Sequence, residues 1–223
     1  MQELINRHHL QTEPAKLAVT LRESIAAEHS RKRARGVMHP EVRIENIWDG
    51  LFPGRRPEVL RSMIVEYELA AHPVWPMPGC RAVLSALKRR GITLGIISNA
   101  QFYTPLFLEA LLGADMEVLG FSPSLCLYSC DFEIAKPDQA LFNVAKERLR
   151  ALGTVPENSL MIGNSVIDDI VPAGKIGFMT ALAALDRRSF AAPSGPEEEP
   201  DVVVTSLGHL DVLLGGHGEL ARA

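Results

Sequence analysis

From Ile92 onward, short apolar runs alternate with helical stretches, and this alternation constrains the fold more than any other feature of the chain. The runs are Ile92–Ser98 (ITLGIIS), a segment near Leu125–Ser129, Ser159–Gly163 (SLMIG), Phe178–Ala184 (FMTALAA) and Asp201–Ser206 (DVVVTS). Helices are expected at about Cys80–Arg90, Thr104–Leu112, Asp138–Ala151 and Asp168–Lys175, with another beginning after Ser206. Strands that alternate with helices lie parallel and are joined by right-handed crossovers, which predicts a Rossmann-like, doubly wound α/β sheet. Ligands of such sheets sit at the carboxyl ends of the strands, so the residues just after each run carry the functional question.

The first 75 residues have a different texture. Thr12 is placed to cap a helix from about Glu13 to Arg35, with Leu17, Leu21 and Ile25 on one face and Gly36 ending it. The basic run Arg31–Arg35 then falls in the last turn, where cations favour the helix dipole. A second, short helix is expected from Pro40, and a third carries Leu60, Met63, Ile64, Tyr67 and Leu69. Three helices with short connections predict a small bundle. Pro73, Pro76, Pro78 and Gly79 mark a stiff connector, so residues 1–75 read as one domain and 76–223 as another.

Composition narrows the function. A net charge of −4 gives no general attraction to nucleic acid. No apolar run approaches the ~18 residues that span a membrane, and the first residues do not pattern as a signal peptide, so a cytoplasmic protein is expected. Cys80, Cys126 and Cys130 match no common zinc spacing and read as buried or half-buried free thiols.

Three strand ends carry polar groups. Ser98 and Asn99 follow the first run; they suit an anionic oxygen such as phosphate, and equally a helix cap. Lys136 precedes Pro137, which favours an extended lysine able to neutralise a phosphate; a surface lysine is the plainer alternative. Asn164, Ser165, Asp168 and Asp169 follow SLMIG and offer hard oxygen ligands, or acidic residues that only favour a helix N-terminus.

In this order, Gly95–Ala100 (GIISNA), Ala135–Phe142 (AKPDQALF) and Met161–Leu182 (MIGNSVIDDIVPAGKIGFMTAL) resemble the second, third and fourth motifs of the haloacid dehalogenase-like (HAD) superfamily. The resemblance covers nearly the whole chain. It implies a HAD-like α/β core with a small α-helical cap and phosphate monoester hydrolysis through an aspartyl-phosphate. Ser98 and Asn99 would bind a small phosphorylated substrate, and Lys136 would steady substrate and nucleophile. Asp169, helped by Asn164, would hold Mg²⁺; Ile170, Pro172 and Ala173 set this register and favour Asp169 over Asp168.

The family's first motif, Asp-x-Asp-x-Thr on a central strand, has no counterpart here. No two aspartates of the chain are separated by one residue, and Asp49, the nearest by eye, sits in a helical pattern. Loss of a central strand leaves three expectations: the sheet closes across the gap, another chain supplies the strand, or Met1 is not the true start. The last is favoured, because the sequence begins about where a family member leaves its first motif for its cap. The expected function is therefore a phosphohydrolase lacking its nucleophile in these 223 residues, inactive as written. The alternatives are a non-catalytic phosphate-binding or regulatory protein, and a dehalogenase, which needs the same aspartate.

Overall fold

The structure, a computed structural model, describes residues 1–185 and 193–215. Four helices come first: α1 (Gln2–Arg7), α2 (Pro14–Ala34), α3 (Ile44–Leu51) and α4 (Pro57–Ala71). Pro14 rather than Thr12 sets the start of α2: its fixed φ suits the first helical position, and Glu13 takes the cap place without a side-chain bond. Arg31, Lys32 and Arg33 lie in its last turn, as the charge pattern predicts. Helix α1 was not expected as a separate element.

The second expected helix begins at Ile44, not Pro40. The residues before it are drawn out against a distant segment. Glu41 N donates to the Glu133 carbonyl at 3.0 Å, Ala135 N donates to the His39 carbonyl at 2.8 Å, and Pro40 bridges Ile134. Tertiary pairing overrides local helical pattern there.

These helices share one core of Leu4, Leu17, Leu21, Trp48, Met63 and Ile64, among others. Trp48 is fully buried and meets Tyr67 edge-on with ring centroids 5.5 Å apart.

The remainder runs α5 (Cys80–Arg89), β1 (Leu94–Ser98), α6 (Tyr103–Leu112), β2 (Phe121–Tyr128), the single turn α7 (Ser129–Phe132), α8 (Ala140–Ala151), β3 (Leu160–Gly163), α9 (Val171–Ile176), β4 (Met179–Ala183), β5 (Val202–Val204) and α10 (Leu207–Leu213). All the strand pairs are parallel, as predicted. The chain is thus a Rossmann-type α/β core with a helical cap. Strand β2 starts four residues earlier than its apolar run suggests. A π-helical turn, Val166–Ile170, precedes α9 in place of one continuous helix.

The sheet does not close. Strand β1 pairs with β2, and β3–β4–β5 form a separate piece. Both pieces rest on α8: Leu141, Phe142, Ala145 and Leu149 pack with Leu125 and Leu127 of β2, and with Ile97 of β1 and Met161 of β3. The edges of β1 and β3 are therefore neighbours through a helix and not through hydrogen bonds. Their exposure reflects this. No residue of β1 or β3 is buried, whereas Thr180, Ala181 and Leu182 of β4 all are. Among the described residues no helix is long and apolar enough to cross a membrane.

Candidate functional site

Strand β1 ends at Ser98, half-buried and paired with Tyr128, and its end is where the site is built. Asn99 follows and clasps the backbone of Lys136: its Oδ1 accepts from Lys136 N at 2.7 Å, and its Nδ2 donates to the Lys136 carbonyl at 3.1 Å. This pair of bonds joins segments 37 residues apart, and Asp138 N donates to the Ala135 carbonyl at 3.1 Å, so Lys136 lies within a turn. The Lys136 side chain then reaches inward. Its Nζ donates to the Ile97 carbonyl at 2.9 Å and to Asp169 Oδ1. An ammonium carries three donors, so one remains for a further acceptor.

Asp169 is 4% exposed. Its Oδ2 accepts from Ser165 N at 3.1 Å. The π-helical turn lays this carboxylate against the end of β3, where Gly163 leaves room: a Cβ there would meet the Asp169 Cβ at 2.3 Å. Asp168 points elsewhere. Its Oδ2 accepts from Ser165 Oγ at 3.0 Å, and its backbone N donates back to the same oxygen at 3.0 Å, a local cap at the helix start. Of the two adjacent acids, Asp168 thus takes the helix-start role and Asp169 turns inward to Lys136.

Asn164 lies in the same turn, exposed. Asp49 is exposed on α3, in the cap. Together Asp169 and Asn164 provide oxygen donors of the hard type. Mg²⁺ is commonly held by one or two carboxylates, with water and phosphate oxygens completing six positions. Both oxygens of Asp169 already have protein partners, Oδ1 the Lys136 ammonium and Oδ2 Ser165 N. Among the described residues no group of three or more His, Cys, Asp or Glu gathers as a self-sufficient metal centre.

Three residues that sequence reasoning did not single out hold the loop after β1. Ser129, fully buried at the end of β2, donates its hydroxyl to Glu41 Oε2 at 2.7 Å and accepts from Ala100 N at 2.9 Å. Gln101 Oε1 accepts from Ile44 N at 3.0 Å, and its Nε2 donates to the Val42 carbonyl at 2.9 Å. Glu41 and Ser129 are 88 residues apart, and no local pattern signals such a pair. Cap and core therefore meet at the loop that carries Asn99.

A cavity of about 630 Å³ opens beside Asn99 between cap and core. Glu41, Glu68 and His72 line its cap side, and Tyr103, Phe107 and Leu111 of α6 line the other. Glu68 bonds His72 Nδ1 at 2.8 Å, and its carboxylate lies near the Tyr103 phenol. Burial, and then the charge of Glu68, push the Tyr103 phenol well above its ordinary pKa, so it remains a donor. Burial and nearby carboxylates raise the Cys130 thiol to about 11, which makes it unreactive at neutral pH. All three cysteines are free, and Cys130 is buried, as the sequence predicts.

A family model described as haloacid dehalogenase-like hydrolase matches residues 4–177. No curated protein matches. Among solved structures, the chain is similar to a 2-haloacid dehalogenase from Pseudomonas syringae pv. Tomato DC3000, at 20% identity and a TM-score of 0.64, over 96% of this chain and 86% of that one. It is similar to a HAD-hydrolase from Bacillus subtilis bound to magnesium, at 19% identity and a TM-score of 0.56, over 96% and 89%. It is also similar to a HAD phosphatase from Thermococcus onnurineus, at 23% identity and a TM-score of 0.54, over 77% and 70%. At these identities the likeness is one of fold.

Proposed function

The chain belongs to the haloacid dehalogenase-like hydrolase family, and on that premise we propose that its site handles small phosphate monoesters. The observation that carries this reading is the Lys136 ammonium. It is tied to Ile97 and Asp169, its backbone is clasped by Asn99, and one donor is left over. A phosphoryl group brings at least one negative charge that must be matched, and this ammonium can match it. Ser98, Asn99 and Lys136 bind and orient the phosphate. Residues 1–75 act as the cap domain and 76–223 as the core, and the cap sets which ester enters. Mg²⁺ at Asp169 and Asn164 supplies neutralisation of charge on the transferring group.

The attacking carboxylate is the one part for which the described residues offer no candidate. We place it outside these 223 residues, on a strand that joins the edges of β1 and β3, and the open sheet supports this. The sequence as given is then a binding half-site. It is expected to bind inorganic phosphate and not to hydrolyse p-nitrophenyl phosphate with Mg²⁺. Phosphate binding followed by calorimetry should vanish in Lys136→Ala. Turnover of p-nitrophenyl phosphate that survives Asp169→Asn would overturn the reading. A non-catalytic, regulatory role is favoured by one observation, the lack of any Asp-x-Asp pair. The genomic DNA before the Met1 codon separates the two: an in-frame apolar segment ending in Asp-x-Asp supports the hydrolase, and a close stop codon supports the binder.

A further inference from the structure

On the reading that the site handles phosphate esters, we infer that the cavity beside Asn99 seats an apolar group carrying a positive charge, so that the preferred ester is that of an organic ammonium alcohol. At about 630 Å³ it has the size of a small-molecule site. Its walls are unlike one another. Trp75, Met77, Phe107, Leu108 and Leu111 make one side apolar and aromatic. Glu41 and Glu68 add two carboxylates to the lining, and among the described residues no lysine or arginine lines the space.

The partners of those carboxylates are neutral donors or one imidazole. Glu41 takes Val42 N at 2.8 Å and Ser129 Oγ at 2.7 Å. Glu68, whose side chain is 14% exposed, takes His72 Nδ1 at 2.8 Å. His72 pairs with Glu68, and the Lys32 ammonium donates to the Glu41 backbone carbonyl at 2.6 Å, so the two carboxylates are matched only in part. The Glu68 carboxylate is held largely out of water, where an unmatched charge is costly and a ligand cation is correspondingly welcome. The aromatic faces favour the same ligand. Tyr103 and Phe107 lie 5.2 Å apart and tilted by 32°, and a desolvated cation over such rings gains cation–π attraction. A neutral or anionic group of the same shape satisfies the apolar wall and leaves the carboxylates unmatched. Asn99 belongs both to the cavity lining and to the clasp on the Lys136 backbone, so the cavity borders the loop that positions the lysine.

The test is calorimetric titration of the 223-residue chain with phenethylammonium, 2-phenylethanol and phenylacetate. The ammonium is expected to bind about tenfold more tightly than the alcohol, and the carboxylate more weakly than either. Glu68→Gln should erase the preference for the ammonium. Trp75→Ala, at a side chain 76% exposed and so safe for folding, should weaken all three ligands a few-fold and keep their order. Equal binding of ammonium and alcohol, tighter binding of the carboxylate, or no binding of any of them would overturn the inference. Inorganic phosphate titrated separately tests the parent reading. Failure of phosphate to bind while the ammonium preference stands sinks that reading alone, and phosphate binding without the preference sinks this one.

Discussion

Trp48 and Ile162 are both large apolar side chains on regular elements, yet Trp48 is fully buried in the cap while Ile162 on β3 is 36% exposed. The buried residues of the cap, from Leu4 to Tyr67, form one cluster, against which Phe102 and Tyr103 also pack. The core domain spreads its buried residues over separate clusters, and its sheet stops at β1 on one side and β3 on the other. A helix satisfies its backbone internally and needs only a buried stripe. A strand of a parallel sheet needs a neighbour on each edge and cover on each face. The same chain can therefore complete a small helical unit and leave a sheet with open edges.

The largest effect should come from Trp48→Ala, a loss of about 3–5 kcal/mol in urea unfolding, against less than about 1 kcal/mol for Ile162→Ala. Equal costs would break the comparison and mean that β3 is covered in solution. Next comes Lys136→Met, which leaves Asp169 buried without its counter-charge. About 3 kcal/mol should be lost, and Lys136→Met with Asp169→Asn together should recover part of it. Without that recovery, the pair would not be coupled as the geometry requires. Gly163→Ala should cost about 2 kcal/mol and weaken phosphate binding, because the new methyl displaces the Asp169 side chain. A neutral outcome would show that the turn after β3 yields easily.

The smallest effect concerns the seam between the two regions. Lys32 Nζ lies 2.5 Å from Glu133, and this hydrogen bond holds the Glu133 carboxyl below its ordinary value of 4.5. A lowered folded-state pKa contributes stability above the ordinary value, and that contribution disappears as pH falls through the lowered one. Glu133 is 47% exposed, so solvent screens most of it. Glu133→Gln should make melting temperature slightly less steep in pH below about 4.5. An unchanged slope would remove the Lys32–Glu133 pair from the account of how cap and core hold together.

Legibility in the sequence followed the range of the interactions. The alternation of apolar runs predicted the parallel strands, because period and length are local properties. The order Ser98, Lys136, Asp169 was readable because each follows a strand. The start of α3 was not, since Pro40–Glu41 answer to His39–Ala135 and Glu41–Glu133 backbone bonds across the fold. Nor were Ser129 and Gln101, whose partners lie far away in the chain and whose residue types carry no special pattern.

What the sequence determined by itself was the type of most elements, the parallel α/β class and the lack of a paired-aspartate motif, all consequences of residue order. How Asp169, which the family resemblance already favoured over Asp168, turns inward was decided by tertiary structure: the π-helical turn presses it against Gly163 within reach of Lys136 and leaves Asp168 to cap with Ser165. The open place between β1 and β3 was likewise a tertiary fact, because strand pairing depends on what lies beside a strand and not on what lies along it.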